Sequence, residues 1–194
     1  MVAVMPWLIV LLGYLLGSIP TAFIAGHLLK GKDIRQMGDG NMGARNAFHQ
    51  LGAKVGISIF LIDAGKGALA ILVAQSTHVP LLVVLLTGAA AVAGHNWPAF
   101  IGFRGGRGES TTIGVLLTLI TQPMLIMFGP ALATLLLKRG IIATGMALFI
   151  PLPLVCWLTG VPGALIAYSI ALPCLVGFTH FLRTRQPAMR QARL

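Results

Sequence analysis

Long apolar runs constrain the fold of this chain more than any other feature of its sequence. Between residues 2 and 25 there is no charged side chain, and the further runs 55–75 and 81–100 contain only Asp63 and Lys66 as charged residues. One complete helical crossing of a bilayer takes about 20 apolar residues. Because 57% of the chain is hydrophobic and only 9% is charged, we predict an all-α polytopic membrane protein with one domain over residues 1–194.

Glycine and proline divide the second half of the chain into shorter segments. The apolar stretch 111–137 is interrupted by Gln-Pro at 122–123 and by Gly-Pro at 129–130. Proline ends a helix more readily than it sits inside one, so we predict two short helices here. A further helix precedes the turn TGVPG, and a last helix follows it and ends near Phe181. The chain is thus predicted to contain about seven transmembrane helices, some of them short.

The basic residues predict the orientation of these helices. Apart from Lys66, every Lys and Arg lies near the loops after the first, third and fifth segments or in the tail, and the opposite turns carry none. Because cytoplasmic loops collect Lys and Arg, we predict the N-terminus outside and the C-terminus in the cytoplasm. The same rule accounts for the formal net charge of +10, so no nucleic-acid binding is predicted.

Two glycine- and arginine-rich loops lie on this basic side, GDGNMGARN and GFRGGRGEST. Glycines let backbone N–H groups turn toward one point, and arginine matches the geometry of phosphate oxygens. Gly105, Gly106 and Gly108 lead directly into the next predicted helix, whose N-terminus attracts anions. We therefore predict that these glycines and Arg107 bind a phosphate. The alternative is that the glycines only turn the chain and the arginines only follow the positive-inside rule.

Other polar residues point to the same side of the predicted bundle. Asp63 and Lys66 are three residues apart and share a helical face, so Lys66 either balances the charge of a phosphate site or ties two helices together with Asp63. His95 and Asn96 end the third predicted helix beside the second loop, where His95 is a base, a phosphate ligand or a brace for the loop. No cluster has metal-ligand spacing, and we predict neither a metal nor a cofactor.

Four sequence blocks, in this order and spacing, strongly resemble the acyl-phosphate-dependent glycerol-3-phosphate acyltransferases, the PlsY family. The blocks are GSIPTAF, GKDIRQMGDGNMGARN, DAGKG and GHNWPAFIGFRGGRG, and they lie within residues 13–114. The resemblance implies a small bacterial inner-membrane enzyme with seven transmembrane helices and phosphate-binding loops on the cytoplasmic side. It also implies transfer of a fatty acyl group from acyl phosphate to the 1-hydroxyl of glycerol 3-phosphate, which gives lysophosphatidic acid in phospholipid synthesis.

The resemblance and the two loops together define the predicted site, whose partners are acyl phosphate, glycerol 3-phosphate and membrane lipids. The predicted catalytic residues are Asp39, Asn41, Arg45 and His180. The predicted phosphate-binding residues are Gly105, Gly106, Arg107, Gly108, Lys66, Asn46, His95 and Asn96.

The chain departs from the family pattern within its polar motifs. Asp39 replaces Ser in G-S-G-N, Arg45 replaces Thr in G-A-T-N, His49 replaces Arg, Arg107 replaces Lys in G-G-K-G, Glu109 replaces Val, and Arg183 replaces Asn in the tail. We expect Arg45, one helical turn before position 49, to supply the guanidinium that position 49 lacks.

Two alternative functions stay open: an acyltransferase with a different acceptor, and a non-catalytic membrane binder or carrier of a phosphorylated lipid or metabolite.

A carboxylate in a phosphate-binding loop repels the ligand unless a cation offsets it. We therefore predict an ion pair between Asp39 and Arg45 across the Gly-rich turn, with the Asp39 carboxylate orienting or deprotonating the acceptor hydroxyl. In the alternative, Asp39 pairs with Arg35 or Lys32 and is only a surface charge.

Overall fold

The computed structural model describes residues 5–191, and its side chains are described as far as Thr184. Within that range the chain is built from α-helices, and no β-strand occurs in it. The helices are α1 Pro6–Ser18, α2 Thr21–Lys30, α3 Ala44–Leu51, α4 Ala53–Ser76, α5 Leu81–Asn96, α6 Glu109–Leu119, α7 Thr121–Leu136, α8 Ile141–Phe149, α9 Leu152–Leu158 and α10 Gly163–Gln191. The predicted all-α class is confirmed. Of the predicted basic tail, Arg193 and the side chains of Arg185 and Arg190 lie outside the described residues.

Five helical stretches among the described residues are long and apolar enough to cross a membrane. They are Pro6–Lys30, Ala53–Ser76, Leu81–Ile101, Ile141–Leu158 and Gly163–Thr184. Helices α6 and α7 have 11 and 16 residues, which at 1.5 Å per residue is shorter than a hydrocarbon core about 30 Å thick. The predicted pair of short helices is therefore present, between the third and fourth long stretches.

Prolines break some of these stretches and are accommodated in others. The residue before Pro20, Ile19, takes extended backbone angles and separates α1 from α2, because proline disfavours the helical region for its predecessor. A second break, at Ile150 and Pro151, separates α8 from α9, where a single helix was predicted. The prediction that Gly129-Pro130 interrupts a helix is wrong, since Pro130 lies inside α7. The actual break is at Ile120, and it leaves Pro123 in the first turn of α7, where its missing N–H costs little.

Small residues bring the helices that carry the polar motifs into close contact. A Cβ on Gly17 of α1 would overlap the backbone of Ala91 in α5, and a Cβ on Gly114 of α6 would overlap that of Ala64 in α4. Small residues at helix contacts let backbones approach closely, as is common between transmembrane helices. Helix α1 is held against α5, and α6 against α4, in this way.

The remaining apolar side chains divide between an interior cluster and the outer surface. Val92, Val115, Leu116 and Met124 are buried in the cluster, whereas Leu28 is 80% exposed on the outer face. Large exposed apolar side chains recur on several helices. This distribution suits a bundle whose outer surface contacts lipid chains rather than water.

The basic side of the bundle is predicted to be cytoplasmic. A reporter fused after Leu194 is expected to be cytoplasmic, and one inserted at Thr77, in the turn between α4 and α5, is expected to be external. Fusions to alkaline phosphatase and green fluorescent protein measure the two positions. Reporters that are active on the same side of the membrane would contradict the predicted orientation.

Candidate active site

A cavity of about 940 Å³ opens between the start of α6 and helices α3, α7, α8 and α10. Its polar lining, which we call the mouth, consists of Asn41, Arg45, His95, Arg107, Glu109, Ser110 and His180. Its apolar lining includes Phe60, Phe128, Leu132, Ile142, Met146, Pro153, Ile170 and Pro173. Along α10, Ile170 precedes His180 by about three helical turns, or roughly 15 Å. A charged mouth therefore continues into a long apolar compartment.

The Gly-Arg loop, residues 102–108, is attached to the end of α5 through its backbone. The N–H of Gly105 donates to the carbonyl of Asn96 at 3.1 Å, and the N–H of Gly106 donates to the carbonyl of His95 at 3.0 Å. A Cβ at either glycine would overlap His95. The predicted role of these two amides is therefore corrected: they fasten the loop to α5, and their N–H groups are already engaged within the protein.

Helix α10 holds the other side of the same loop. The hydroxyl oxygen of Thr179 lies 3.0 Å from the carbonyl oxygen of Arg107, and Arg183 donates from Nη2 to the carbonyl of Asn96 at 2.8 Å. Sequence analysis missed Thr179, which is recognisable only as the neighbour of His180. These contacts leave the Arg107 side chain in the mouth while its backbone is fixed.

Helix α6 begins directly after the loop and presents its N-terminus to the mouth. Gly108 caps the helix with left-handed backbone angles, φ 85°, which glycine adopts without the penalty of a Cβ. Glu109 and Ser110, the first two residues of α6, line the cavity. Because the first N–H groups of a helix have no partner within it, this end of α6 suits an anion.

Several buried polar atoms around the mouth have no hydrogen-bond partner among the described residues. They are Oδ1 of Asn41, Oδ1 and Nδ2 of Asn96, and Nε of Arg107. The Asn96 side chain lies directly beneath Gly108, where a Cβ would overlap it. Buried polar groups in proteins are nearly always satisfied, so this cluster is suited to a polar ligand or to ordered water.

Asp39 pairs with a different arginine from the one predicted. Its Oδ2 lies 3.7 Å from Nη2 of Arg107, and its Oδ1 accepts a hydrogen bond from the backbone N–H of Asn41 at 3.0 Å. No ion pair joins Asp39 to Arg45 in the described part of the chain, so that prediction is wrong. The Asp39 side chain is 40% exposed and lies beside Arg107 rather than in the cavity wall.

The alternative partner of Asp39, Arg35, is occupied elsewhere. Arg35 donates to both carboxylate oxygens of Asp33, with the shortest contact 2.7 Å, and also to the carbonyl of Ile101. Burial by itself raises the pKa of Asp33, but hydrogen bonds and the positive charge of Arg35 outweigh it and hold that pKa below its ordinary value. The Asp33–Arg35 pair therefore ties the loop after α2 to the residues that follow α5.

Arg45 reaches the mouth from the first turn of α3, as predicted. It lines the cavity, whereas His49, one turn later, does not and instead contacts the ring of Phe48 edge to face. The neighbouring Asn46 is 3% exposed, and its Nδ2 lies 2.9 Å from the carbonyl oxygens of Met37 and Asn41. Asn46 thus shapes the loop that leads into α3 and is not part of the cavity lining.

Lys66 also lies outside the cavity lining, in a buried network at the centre of the bundle. Its Nζ is 3.0 Å from Oδ1 of Asp63 and donates to the carbonyl of Ile19 at 3.0 Å. The same Asp63 oxygen accepts from the Thr21 hydroxyl at 3.0 Å and lies 3.7 Å from Nδ1 of His95. These contacts favour the structural role for Lys66, because its ammonium group pairs with Asp63 and donates to the backbone at the break between α1 and α2.

Comparison with known proteins agrees with this architecture. A model of the glycerol-3-phosphate acyltransferase family matches residues 7–188. Glycerol-3-phosphate acyltransferase 4 of Dehalococcoides mccartyi is 52% identical over 182 residues, which cover 94% of this chain and 98% of that protein. The glycerol-3-phosphate acyltransferase of a Synechococcus species is 38% identical over 173 residues, which cover 89% of this chain and 86% of that protein.

Solved structures give the same result. The fold resembles PlsY, an integral membrane glycerol 3-phosphate acyltransferase, in its glycerol 3-phosphate form, with a TM-score of 0.83 and 33% identity over 95% of this chain and 92% of that one. The lysophosphatidic acid form of PlsY gives a TM-score of 0.78 with 31% identity. The fold is therefore that of an integral membrane protein. The chain belongs to the glycerol-3-phosphate acyltransferase family.

The buried network supports a prediction that separates bracing from ligand binding. Asp63→Asn leaves the Lys66 ammonium buried without its counter-charge, and removing one partner of a buried pair costs about 3–5 kcal/mol of folding free energy. Lys66→Met is expected to be destabilising as well, and the double variant is expected to recover much of the loss. Thermal unfolding in detergent measures all three. A folded double variant that has lost its affinity for glycerol 3-phosphate would show that Lys66 contributes to phosphate binding.

Proposed function

We propose that this protein transfers a fatty acyl group from acyl phosphate to the 1-hydroxyl of glycerol 3-phosphate and releases lysophosphatidic acid and inorganic phosphate. The observation that carries the proposal is the single cavity in which a cationic mouth joins a long apolar compartment. An acyl phosphate has the same two parts, a charged head and an apolar tail. Family membership supports the reaction class, and the PlsY structures in their two named forms support the acceptor and the product.

The charged groups of the mouth suit the phosphate of the donor. Arg107 and Arg45 offer guanidinium groups, and the N-terminus of α6 offers unpaired N–H groups. As the bond between the acyl carbon and the phosphate oxygen breaks, negative charge grows on the departing phosphate. Fixed donors directed at that charge stabilise the transition state. Arg107 is the best placed of these groups, because its backbone is held by α10 and by the attachment of the loop to α5.

The acyl phosphate is an activated mixed anhydride, so catalysis depends chiefly on position. The apolar walls of α7, α8 and α10 hold the chain of the donor, which leaves its reactive carbonyl near the mouth. Asn41 and His180 line the mouth and are assigned to binding the acceptor. Holding two reactants in a productive geometry replaces a bimolecular encounter with an effectively intramolecular step.

Asp39 is assigned to positioning Arg107. An exposed ion pair of this kind contributes little to stability, but it fixes one rotamer of a long side chain. The Nη2 atom of Arg107 faces Asp39, and Nε of the same guanidinium is buried without a partner among the described residues. Asp39 thereby leaves Nε of Arg107 available to a phosphate oxygen.

The reaction is assigned to the cytoplasmic face of a bacterial inner membrane. The mouth is formed by residues from the loops that carry the basic side chains, and these loops are expected to be cytoplasmic. Glycerol 3-phosphate is water-soluble and reaches the mouth from that side. The donor and the product are lipids and exchange with the bilayer through the apolar side of the cavity.

Membranes that contain the protein are expected to convert acyl phosphate and labelled glycerol 3-phosphate into labelled lysophosphatidic acid. Arg107→Ala is expected to weaken the apparent affinity for phosphorylated substrate by about 10- to 150-fold, since a hydrogen bond to a charged group contributes roughly 1.5–3 kcal/mol. Arg107→Lys is the matched control, because it keeps the charge and loses only the fork geometry. Chromatography of the labelled lipid measures both variants.

Three other outcomes are informative. Binding of both substrates without any transfer would indicate a carrier, and transfer to another hydroxyl compound in place of glycerol 3-phosphate would indicate a different acceptor. If Arg107→Ala keeps the wild-type affinity for phosphorylated substrate, Arg107 does not bind the phosphate.

A further inference from the structure

The chain has only four carboxylate side chains, and they differ sharply in their surroundings. Asp33 is paired with Arg35, Asp63 with Lys66 and Asp39 with Arg107. Glu109, the fourth, has neither an ion pair nor a hydrogen bond from its side chain to any described residue. In a protein so poor in acidic groups, an unpaired carboxylate inside the bundle requires a separate explanation.

Glu109 is also the one carboxylate among the described residues that lines the cavity. It is the first residue of α6, and its carboxylate lies against Gly145 of α8. A Cβ at Gly145 would come within 2.9 Å of Oε1 of Glu109, so the absence of a side chain there keeps space for the carboxylate. The guanidinium charges of Arg107 and Arg45 act on it electrostatically from the mouth.

Glu109 lies where charged and apolar lining residues meet. The charges of Arg107 and Arg45 act on its carboxylate, which lies against Gly145, and Met146, the next residue of α8, belongs to the apolar lining. In a bound acyl phosphate, the reactive carbonyl is the atom group that joins the charged head to the apolar tail. A molecule that fills both compartments therefore places its carbonyl beside Glu109.

The chemistry of a carboxylate determines which substrate group it faces. A carboxylate repels phosphate oxygens but accepts hydrogen bonds from hydroxyl groups. Of the groups brought together in the reaction, only the hydroxyls of the acceptor are hydrogen-bond donors of this kind. Asp39 is poorly placed for the same task, because it lies outside the cavity lining and its oxygens already face Asn41 and Arg107.

We propose that Glu109 is a catalytic residue that binds the hydroxyl of the acceptor and accepts its proton during acyl transfer. This inference rests on the proposed function. The hydroxyl oxygen forms the new ester bond to the acyl carbon while the bond from that carbon to the phosphate oxygen breaks. The electron pair of the broken bond leaves with the phosphate. The proton passes to Glu109 and then to the departing phosphate, which restores the carboxylate for the next cycle.

The test compares Glu109→Gln with Glu109→Asp in the full-length protein. Glutamine keeps the size of the side chain and a hydrogen-bond acceptor but is not a base, so kcat is expected to fall about 100-fold or more, within the range of general base catalysis. The KM for acyl phosphate is expected to stay close to the wild-type value. Aspartate keeps the base and is expected to retain much of the activity that glutamine loses.

Asp33→Asn is the matched control. It removes one negative charge at a carboxylate that does not line the cavity and is expected to keep wild-type kcat. Thermal unfolding of each variant shows whether it is folded. In the wild-type protein, a hydrophobic carbodiimide is expected to modify Glu109, and glycerol 3-phosphate is expected to protect it, as read by mass spectrometry of the labelled peptide.

The outcomes separate the two proposals. If the wild-type protein transfers no acyl group to glycerol 3-phosphate, the proposed function fails. If the wild-type protein is active and Glu109→Gln keeps its kcat, or if the acceptor gives Glu109 no protection, the assignment of Glu109 is overturned while the proposed function stands.

Discussion

The attachment of the Gly-Arg loop to the end of α5 is the contact on which the rest of the site depends. The carbonyls of His95 and Asn96 lie at a helix end, where they have no partner within the helix, and they accept hydrogen bonds from Gly106 and Gly105, respectively. This attachment sets the position of Arg107 and the starting point and direction of α6. Neither glycine tolerates a side chain, because the space of a Cβ is filled by His95. The same backbone bonds that stabilise the loop therefore also place the cation and the helix N-terminus at the mouth.

A second constraint is the cost of charge inside an apolar bundle. Ionisable groups within the membrane are expensive unless they are paired or face a polar cavity. The chain meets this constraint in two ways, with the Asp63–Lys66 pair buried among α1, α4 and α5 and the remaining acidic groups near the loops. His95 links the two regions, since it lies near Asp63 on one side and lines the cavity on the other. The Asp63–Lys66 pair thus helps to hold α5, to whose end the Gly-Arg loop is hydrogen-bonded.

Local sequence rules predicted the fold well where they describe one helix at a time. The long apolar runs and the two short helices after the Gly-Arg loop follow from hydrophobicity and proline geometry. The break between α1 and α2 near Pro20 was not predicted, because the first apolar run on its own indicates one helix. Pro130 was predicted wrongly, because proline is tolerated inside membrane helices when neighbouring segments compensate for its missing hydrogen bond. The break before α7 is instead at Ile120, and Pro123 occupies the first turn of the helix.

The candidate site was predicted less completely, because the choice of partners is a tertiary property. Sequence reasoning brought Arg45 and Arg107 to one phosphate site, and both line the cavity. It could not show that Asp39 would lie beside Arg107 rather than pair with Arg45, which follows it closely in the sequence. Nor could it show that the N–H groups of Gly105 and Gly106 donate to the carbonyls at the end of α5. Asp39 and Arg107 are far apart in the sequence, and the contacts of Gly105 and Gly106 depend on how the loop folds back on α5, which spacing along the chain does not show.

The proposed function requires one cavity to hold the phosphate and the acyl chain of the same molecule. A structure of the protein with a non-hydrolysable acyl phosphonate would show whether it does. We expect the phosphonate within hydrogen-bonding distance of Arg107, near the start of α6, with the acyl chain between α8 and α10. A phosphonate bound at Lys66 in the α1–α4–α5 network, or an acyl chain lying outside the α8–α10 wall, would overturn this proposal.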